Sequence, residues 1–477
     1  MKLSQMTVLS SKEIKTIHEA TIDILENCGV KILSGEMLEF LAEKGMKIDR
    51  EKQIVKFSRA VVEDMLESVP DKIEIFDRDG QPAFVIGDGT PRLAAGHNAI
   101  FWLDSETGKT RNSTVADVEK FARICDKLEV IDMIGIPVMP QDIPKAEASL
   151  LYGVRAVIEN SAKPIYFSTD RRDVNNSVIE LLRAAFDGDL KNQAYGISQL
   201  SPTSPLFWEK SVLDAITDTV ASGVPLAILP EPIAGLSAPY TLAGLITMNN
   251  AECISGMAIA QLLKKGSKVL YANSWTTANM QNCASLVGSA ETTLCRIAGA
   301  QMAKFYGVPC HTTAPNSDNH DHDEQNAWEK TFSMFCSQAA GNDLIVNCGM
   351  FATGLTCSHE QLVMDAEISG FARRICRGIE VDSKHIAKKL IKEIGPQGES
   401  YLTTDHTMEW IHSDEYFKPI VSVNGPKSSW EASGNKNTCA LAKELAAKHD
   451  RLPQNTLTGK RKEKLLEIIK DFESKRC

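Results

Sequence analysis

The sequence predicts an α/β chain folded as a closed (β/α)8 TIM barrel, and three observations carry that prediction: eight short apolar runs, a helical stretch between them, and even spacing. The runs fall at 93–103, 130–137, 164–168, 195–199, 225–229, 269–273, 309–313 and 344–347. Their centres lie roughly 30 to 45 residues apart, which leaves room for one strand, two loops and one crossover helix each time. A doubly wound open sheet is the rival. It is disfavoured because the first strand-helix turn has no G-x-G-x-x-G and because eight even units favour closure.

The chain has 477 residues. At about 150 residues per domain that length alone suggests roughly three domains, yet single barrels run well past the prior. Hydrophobic residues make up 43% and charged residues 24%, a globular balance that excludes disordered, collagenous and low-complexity classes. Aromatic residues are sparse at 6%. With 62 acidic against 52 basic residues the net charge is -10, which argues against nucleic acid or an anionic membrane as partner. A cationic small molecule, or a basic patch on a partner, fits better. The start of the chain carries Lys12, Glu13 and Lys15 and no apolar h-region, so neither a signal nor a transit peptide is expected and the cytoplasm is the expected compartment. The most apolar region, 220–263, is broken by Pro225, Pro230, Glu231, Pro232, Pro239 and Glu252, and so reads as core. None of the twelve cysteines falls in C-x-x-C, and buried reduced thiols are the expected reading.

Three segments follow from the pattern. Residues 1–90 read as a helical and α+β segment packed on the barrel. Ser10 and Glu13 form a capping box, Ile14, Ile17, Thr21, Ile24, Leu25 and Cys28 recur at helical spacing, and Gly29 ends the helix. A short helix at 35–44, a strand at 54–57, a helix begun by Ser58 and strand-like runs at 72–76 and 83–86 with an Asp79-Gly80 turn complete it. The barrel is assigned to 91–395 and a helical extension to 396–477. In the extension a helix is expected near 437–448, and a final amphipathic helix at 460–475 presents Leu465, Leu466, Ile468, Ile469 and Phe472. Such an extension wraps the barrel or builds an oligomer contact, and a homo-oligomer is expected.

Strand ends at the carboxyl face of a barrel are candidates by position. They include Phe167-Ser168-Thr169-Asp170, Gln199-Leu200-Ser201-Pro202, Leu229-Pro230-Glu231-Pro232, Asn273-Ser274-Trp275-Thr276 and His311-Thr312-Thr313. The densest polar cluster follows the seventh strand, with Cys310, His311, Asn316, Asp318, Asn319, His320, Asp321, His322, Asp323 and Glu324. It reads as a substrate-facing loop, as a helix cap, or as a zinc site through His320-x-His322. After the eighth strand come Asn347 to Leu355 and then a Ser358/Gln361 capping box, whose helix start could receive a carboxylate. Few aromatics sit near strand ends: Phe101, Trp102, Phe167, Tyr271, Trp275 and Phe351. Most such rings are core, but a Trp275 aimed at the barrel mouth would suit a quaternary ammonium by cation-π contact.

The run at 347–381, NCGMFATGLTCSHEQLVMDAEISGFARRICRGIEV, resembles the trimethylamine methyltransferase superfamily. So do YGVPCHTTAPNSDNHDHDEQNAWEK at 306–330, the tail pattern His406-Thr407, Tyr416-x-x-Pro419, Trp430 and Gly434, and the N-terminal run at 9–30. The resemblance implies a barrel that hands a methyl group to the cobalt of a corrinoid carried by a separate protein, with no cofactor tightly bound to this chain. Members acting on trimethylamine carry pyrrolysine near the end of the eighth strand, where this sequence has 351–354 and no such residue. That is similar to the non-pyrrolysine branch, which demethylates quaternary amines such as glycine betaine, proline betaine, carnitine or γ-butyrobetaine.

In that reading Co(I) attacks a methyl carbon in line with the breaking C–N bond, and the enzyme supplies alignment, not an acid or base. A quaternary nitrogen has no lone pair for a Lewis-acidic metal, so no metal site is expected. The ammonium pole is assigned to Trp275, Phe351 and Asp318, and the carboxylate pole to His320, His322 and Asn316, with Phe167 and Gln199 added as strand-end residues. A zinc-dependent corrinoid methyltransferase and a non-catalytic betaine-binding barrel are the alternatives.

Overall fold

The computed structural model of the chain describes residues 3, 6–398 and 400–475. Residues 399, 476 and 477 of the expected extension therefore lie outside the described residues. Eight parallel strands close a barrel in chain order. They are β1 Arg92–Ala95, β2 Met133–Ile134, β3 Ile165–Ser168, β4 Gly196–Leu200, β5 Leu226–Ile228, β6 Val269–Asn273, β7 Cys310–Thr313 and β8 Leu344–Cys348. Closure is made by β8 returning beside β1, with Leu344 opposite Arg92 and Val346 opposite Ala94. One long helix follows each strand: α1 Val115–Lys127, α2 Ser149–Asn160, α3 Arg172–Ala185, α4 Lys210–Ser222, α5 Leu242–Leu263, α6 Ala290–Tyr306, α7 Glu324–Ala339 and α8 His359–Arg377. The predicted (β/α)8 barrel is the fold observed.

The first apolar run does not stay in the barrel. β1 stops at Ala95 because Gly96 turns the chain with φ near +84°, and a Cβ there would meet the Pro137 backbone at 2.7 Å. Phe101–Asp104 then leaves to pair with Lys109–Asn112 and with Thr356–Cys357, in a four-stranded sheet that also holds Met350–Phe351. This sheet knits the loop after β1 to the loop after β8.

A hairpin, Ile73–Phe76 with Pro82–Ile86, closes the opposite end. Its Ile73, Ile75, Phe84 and Ile86 join the inward-facing Ala94, Met133, Ile197, Leu270 and Val346 in one buried cluster, so the lower barrel is a packed apolar plug. The first helix, Ser11–Asp23, begins with the expected Ser10/Glu13 capping box and runs on through Ile24–Cys28 to Gly29. Val30–Ile32 pairs in parallel with Phe207–Trp208 from the loop after β4, which fastens the front segment to the barrel. At the other end of the chain, Thr438–Arg451 packs on α8 and α1. Gly459–Ser474 packs on α3 and α2 and buries Leu465, Ile469 and Phe472.

Among the described residues no helix is long and apolar enough to cross a membrane. Among the described residues seven cysteines, Cys125, Cys253, Cys295, Cys310, Cys348, Cys357 and Cys376, are buried free thiols, while Cys28 and Cys283 depart from that expectation and are exposed. Because Ile75 is fully enclosed in the plug, Ile75→Ala leaves a cavity at the barrel floor. It is expected to cost about 2–5 kcal/mol, read as a lowered midpoint of urea unfolding.

Candidate active site

All eight loops at the carboxyl end of the barrel contribute to one cavity of about 700 Å³. Strand parity decides which side chains reach it, since alternate residues face opposite sides of a strand. On β3, Tyr166 and Ser168 point inward while Ile165 and Phe167 pack outward on the helices. On β6, Leu270 and Ala272 are inward and Ser274 continues that row onto the cavity wall. Val269, Tyr271 and Trp275 fall on the outward row and lie in the apolar layer behind the barrel. The row of Ala227 and Leu229 on β5 leads to Glu231, and that of Ile197 on β4 leads to Gln199 and Ser201.

The cavity floor is a chain of hydrogen-bonded side chains. Asn316 donates Nδ2–H to the Thr313 carbonyl at 3.0 Å and accepts from Asn347 Nδ2 at 2.8 Å, and Asn347 Oδ1 faces His97 Nδ1 at 3.0 Å. Asn347 reaches this position because its backbone adopts φ near 120° at a bulge in β8. On the far side Tyr166 donates its hydroxyl proton to Gln199 Oε1 at 2.5 Å, and His311 Nε2 lies 3.1 Å from the same phenol oxygen. The Tyr166 and His311 rings stack with centroids 5.3 Å apart. Burial pushes the pKa of both His97 and His311 down and that of Tyr166 up, so the floor is neutral at physiological pH.

Charge enters from the walls. Among the described residues, Glu147, Asp170 and Glu231 line the cavity against a single cation, Arg171, which is itself paired with Asp173 at 2.9 Å. Glu231 sits deep in the protein yet its side chain is open to the cavity, and this desolvated setting raises its carboxyl pKa against the lowering effect of a hydrogen bond from Ser274.

Of the residues assigned from sequence, Asn316 and Gln199 line the cavity. Trp275 and Phe167 do not; both are buried in the outward apolar layer for the parity reason above. Phe351, on the four-stranded sheet, is buried with Leu103 and Ala352, its ring 5.0 Å from that of His322. Asp318 spends its carboxylate on the amides of Val287 and Gly288 at 2.9 and 3.0 Å and on the Thr353 hydroxyl, bracing the loops after β6, β7 and β8 against one another. His320 is exposed. His322 meets Ser358 Oγ at 3.1 Å and Cys439 Sγ at 3.6 Å, and burial lowers its pKa to about 4. Among the described residues no three His, Cys, Asp or Glu side chains gather as a metal site. His97 and Tyr166, by contrast, belong to the floor although nothing in the sequence-based assignment singled them out. Parity counted back from Ser168 would have found Tyr166.

A buried ion pair holds the β7 and β8 side of the cavity. Lys330 on α7 and Asp365 on α8 are fully enclosed, 2.9 Å apart. The Lys330 ammonium also donates to the carbonyls of Pro315 and Met350, and Asp365 accepts from the Gly349 amide and from Gln361.

The model of the trimethylamine methyltransferase (MTTB) family matches residues 1–475. The chain belongs to that family. Its similarity to individual members spans nearly the whole length. It is 28% identical over 439 residues to the trimethylamine methyltransferase of Desulfitobacterium hafniense, covering 92% of this chain and 88% of that protein. It is 27% identical over 434 residues to a glycine betaine methyltransferase of the same species, covering 90% and 89%. The monomethylamine methyltransferase of Methanosarcina barkeri aligns over 99% of this chain and 95% of that one, at 13% identity and a TM-score of 0.49.

Within this methyltransferase family member the Lys330–Asp365 pair makes a direct stability test possible. Lys330→Met leaves Asp365 as an uncompensated buried charge and is expected to cost about 3–5 kcal/mol. Lys330→Met with Asp365→Asn should recover part of that loss in the same urea unfolding measurement.

Proposed function

We propose that the protein demethylates a quaternary amine of the betaine class in the cytoplasm, passing the methyl group to a corrinoid on a separate partner protein. The observation that carries this reading is the acidic cavity at the barrel mouth, with Glu231 deep in it and a neutral floor beneath. A carboxylate in a confined, partly desolvated site attracts a cation without a competing positive charge on the floor. The cavity wall has no Phe, Tyr or Trp side chain among the described residues, so the ammonium is held by charge and not by an aromatic cage. The absence of pyrrolysine from the chain favours a quaternary over a tertiary amine donor.

The partner's Co(I) supplies the nucleophile. This chain's part is to bind and aim the donor: Glu231 takes the ammonium, and the converging loops fix the methyl toward the open mouth. As the C–N bond breaks, its electron pair stays on nitrogen and the donor leaves as a tertiary amine. No acid or base is required. The cavity is larger than a small betaine needs, which leaves space at the mouth for the corrinoid face to approach.

Mixing the protein with a reduced corrinoid protein and a panel of quaternary amines should convert the Co(I) absorbance into that of methyl-Co(III). No spectral change with any amine overturns the reading. Glu231→Gln is expected to raise KM about tenfold or more while leaving kcat near its original value. The raised pKa of Glu231 also sets a pH signature. Affinity for the cation should be full above that pKa and fall as pH drops through it, beginning at higher pH than an ordinary carboxylate would allow, and Glu231→Gln should remove this inflection.

A further inference from the structure

The side-chain amide of Gln199 could present either its oxygen or its NH2 group to the cavity, and its neighbours decide which. A main-chain carbonyl can only accept a hydrogen bond, so the Thr313 carbonyl sets a direction for the whole floor. Asn316 must donate to it, Asn347 must donate to Asn316, and Asn347 Oδ1 must then accept from His97 Nδ1–H. Tyr166 places its hydroxyl 2.5 Å from Gln199 Oε1. A phenol has one proton to give, so with that proton on Gln199 Oε1 the His311 Nε2–H donates to the phenol oxygen in turn. Gln199 is therefore held by Tyr166 with its oxygen inward. Its Nε2 contacts Ser201 Oγ at 3.4 Å, a long contact that leaves donor capacity free on the cavity wall.

We infer that Tyr166 is a positioning residue whose hydroxyl locks Gln199 with its NH2 group toward the cavity, where that group receives an oxygen of the substrate, the carboxylate of a betaine. The inference rests on the quaternary-amine reading above and deepens it. The site selects a cation that also carries an oxygen acceptor, with Glu231 on one pole and Gln199 on the other. Tyr166 is fully buried beneath the wall and acts only through Gln199.

Calorimetric binding of glycine betaine and of tetramethylammonium to the full-length protein tests this, because the second ligand has the charge and lacks the oxygen. Tyr166→Phe removes one hydroxyl and keeps the ring. It should weaken glycine betaine about tenfold, the worth of a hydrogen bond to a charged group, and leave tetramethylammonium unchanged. Gln199→Glu, which puts a carboxylate where the NH2 group was, should abolish betaine binding and keep tetramethylammonium. If the wild type binds betaine alone, the loss on Tyr166→Phe and the abolition by Gln199→Glu are still required. Equal weakening of both ligands by Tyr166→Phe, no weakening of betaine, or a wild type that binds only tetramethylammonium overturns the role of Tyr166 while the quaternary-amine reading stands. A wild type that binds neither ligand overturns that reading and the inference with it.

Discussion

The active face depends on one fully buried ammonium. Lys330 has no water to solvate it, so its donors must be met by protein, and they are met on three separate segments: the Pro315 carbonyl, the Met350 carbonyl and the Asp365 carboxylate. Asp365 in turn fixes the Gly349 amide. A satisfied buried pair of this kind adds little net stability over an apolar replacement, because desolvation offsets most of the attraction. Its consequence is geometric. Moving any one of those segments would strand a charge in the interior, so Asn316, Asn347 and Thr353, carried on the same loops, are held in fixed register around the cavity.

The barrel itself imposes a second order, vertical this time. Inward-facing side chains at the lower end are apolar and are sealed by the hairpin residues Ile73, Ile75, Phe84 and Ile86. Nothing polar can be placed there without an unmet hydrogen bond. The same inward rows become polar two residues further along, at Gln199, Glu231 and Ser274, and β7 adds His311. Tyr166 stands at the change of character: its ring belongs to the apolar plug and its hydroxyl to the polar floor. A phenol suits that position because it has an apolar body and one hydrogen-bonding tip.

These two orders explain what was legible in the sequence. Short apolar runs at even spacing report burial on both faces of a parallel sheet, so all eight strands could be read. Which residue at a strand end faces inward is a matter of parity, and parity needs the strand's exact register. Phe167 and Trp275 were assigned as rings near a mouth, and each is one residue off the inward row. Glu231 and Ser274 stood in the same runs on the correct row. His97 and Asn347 were harder still, since a glycine turn at Gly96 and a bulge with positive φ at Asn347 reset the alternation, and neither is visible as a hydrophobic pattern. The loop after β7 posed another difficulty. Asp318 and His322 are polar residues near the mouth, as a substrate contact would be, but they hold loops and a C-terminal helix together. Composition alone does not separate those two duties.

The acidic cavity also limits what charge can contribute to rate. In the displacement proposed here, positive charge on the donor nitrogen fades as the methyl group departs, so a carboxylate beside it holds the ground state at least as firmly as the transition state. Such binding concentrates and selects the donor but does not lower the barrier of the bound complex. Acceleration must then come from holding the reacting methyl in line with its acceptor, which is the office of rigid loops and a fixed second contact. A single charge leaves a tetrahedral ammonium free to tumble. A second, directional hydrogen bond at the far end of the molecule removes that freedom. The neutral floor of Asn316, Asn347, His97, Gln199 and Tyr166 is suited to provide it, because its members are fixed by one another before the substrate arrives while the Gln199 NH2 group keeps donor capacity toward the cavity.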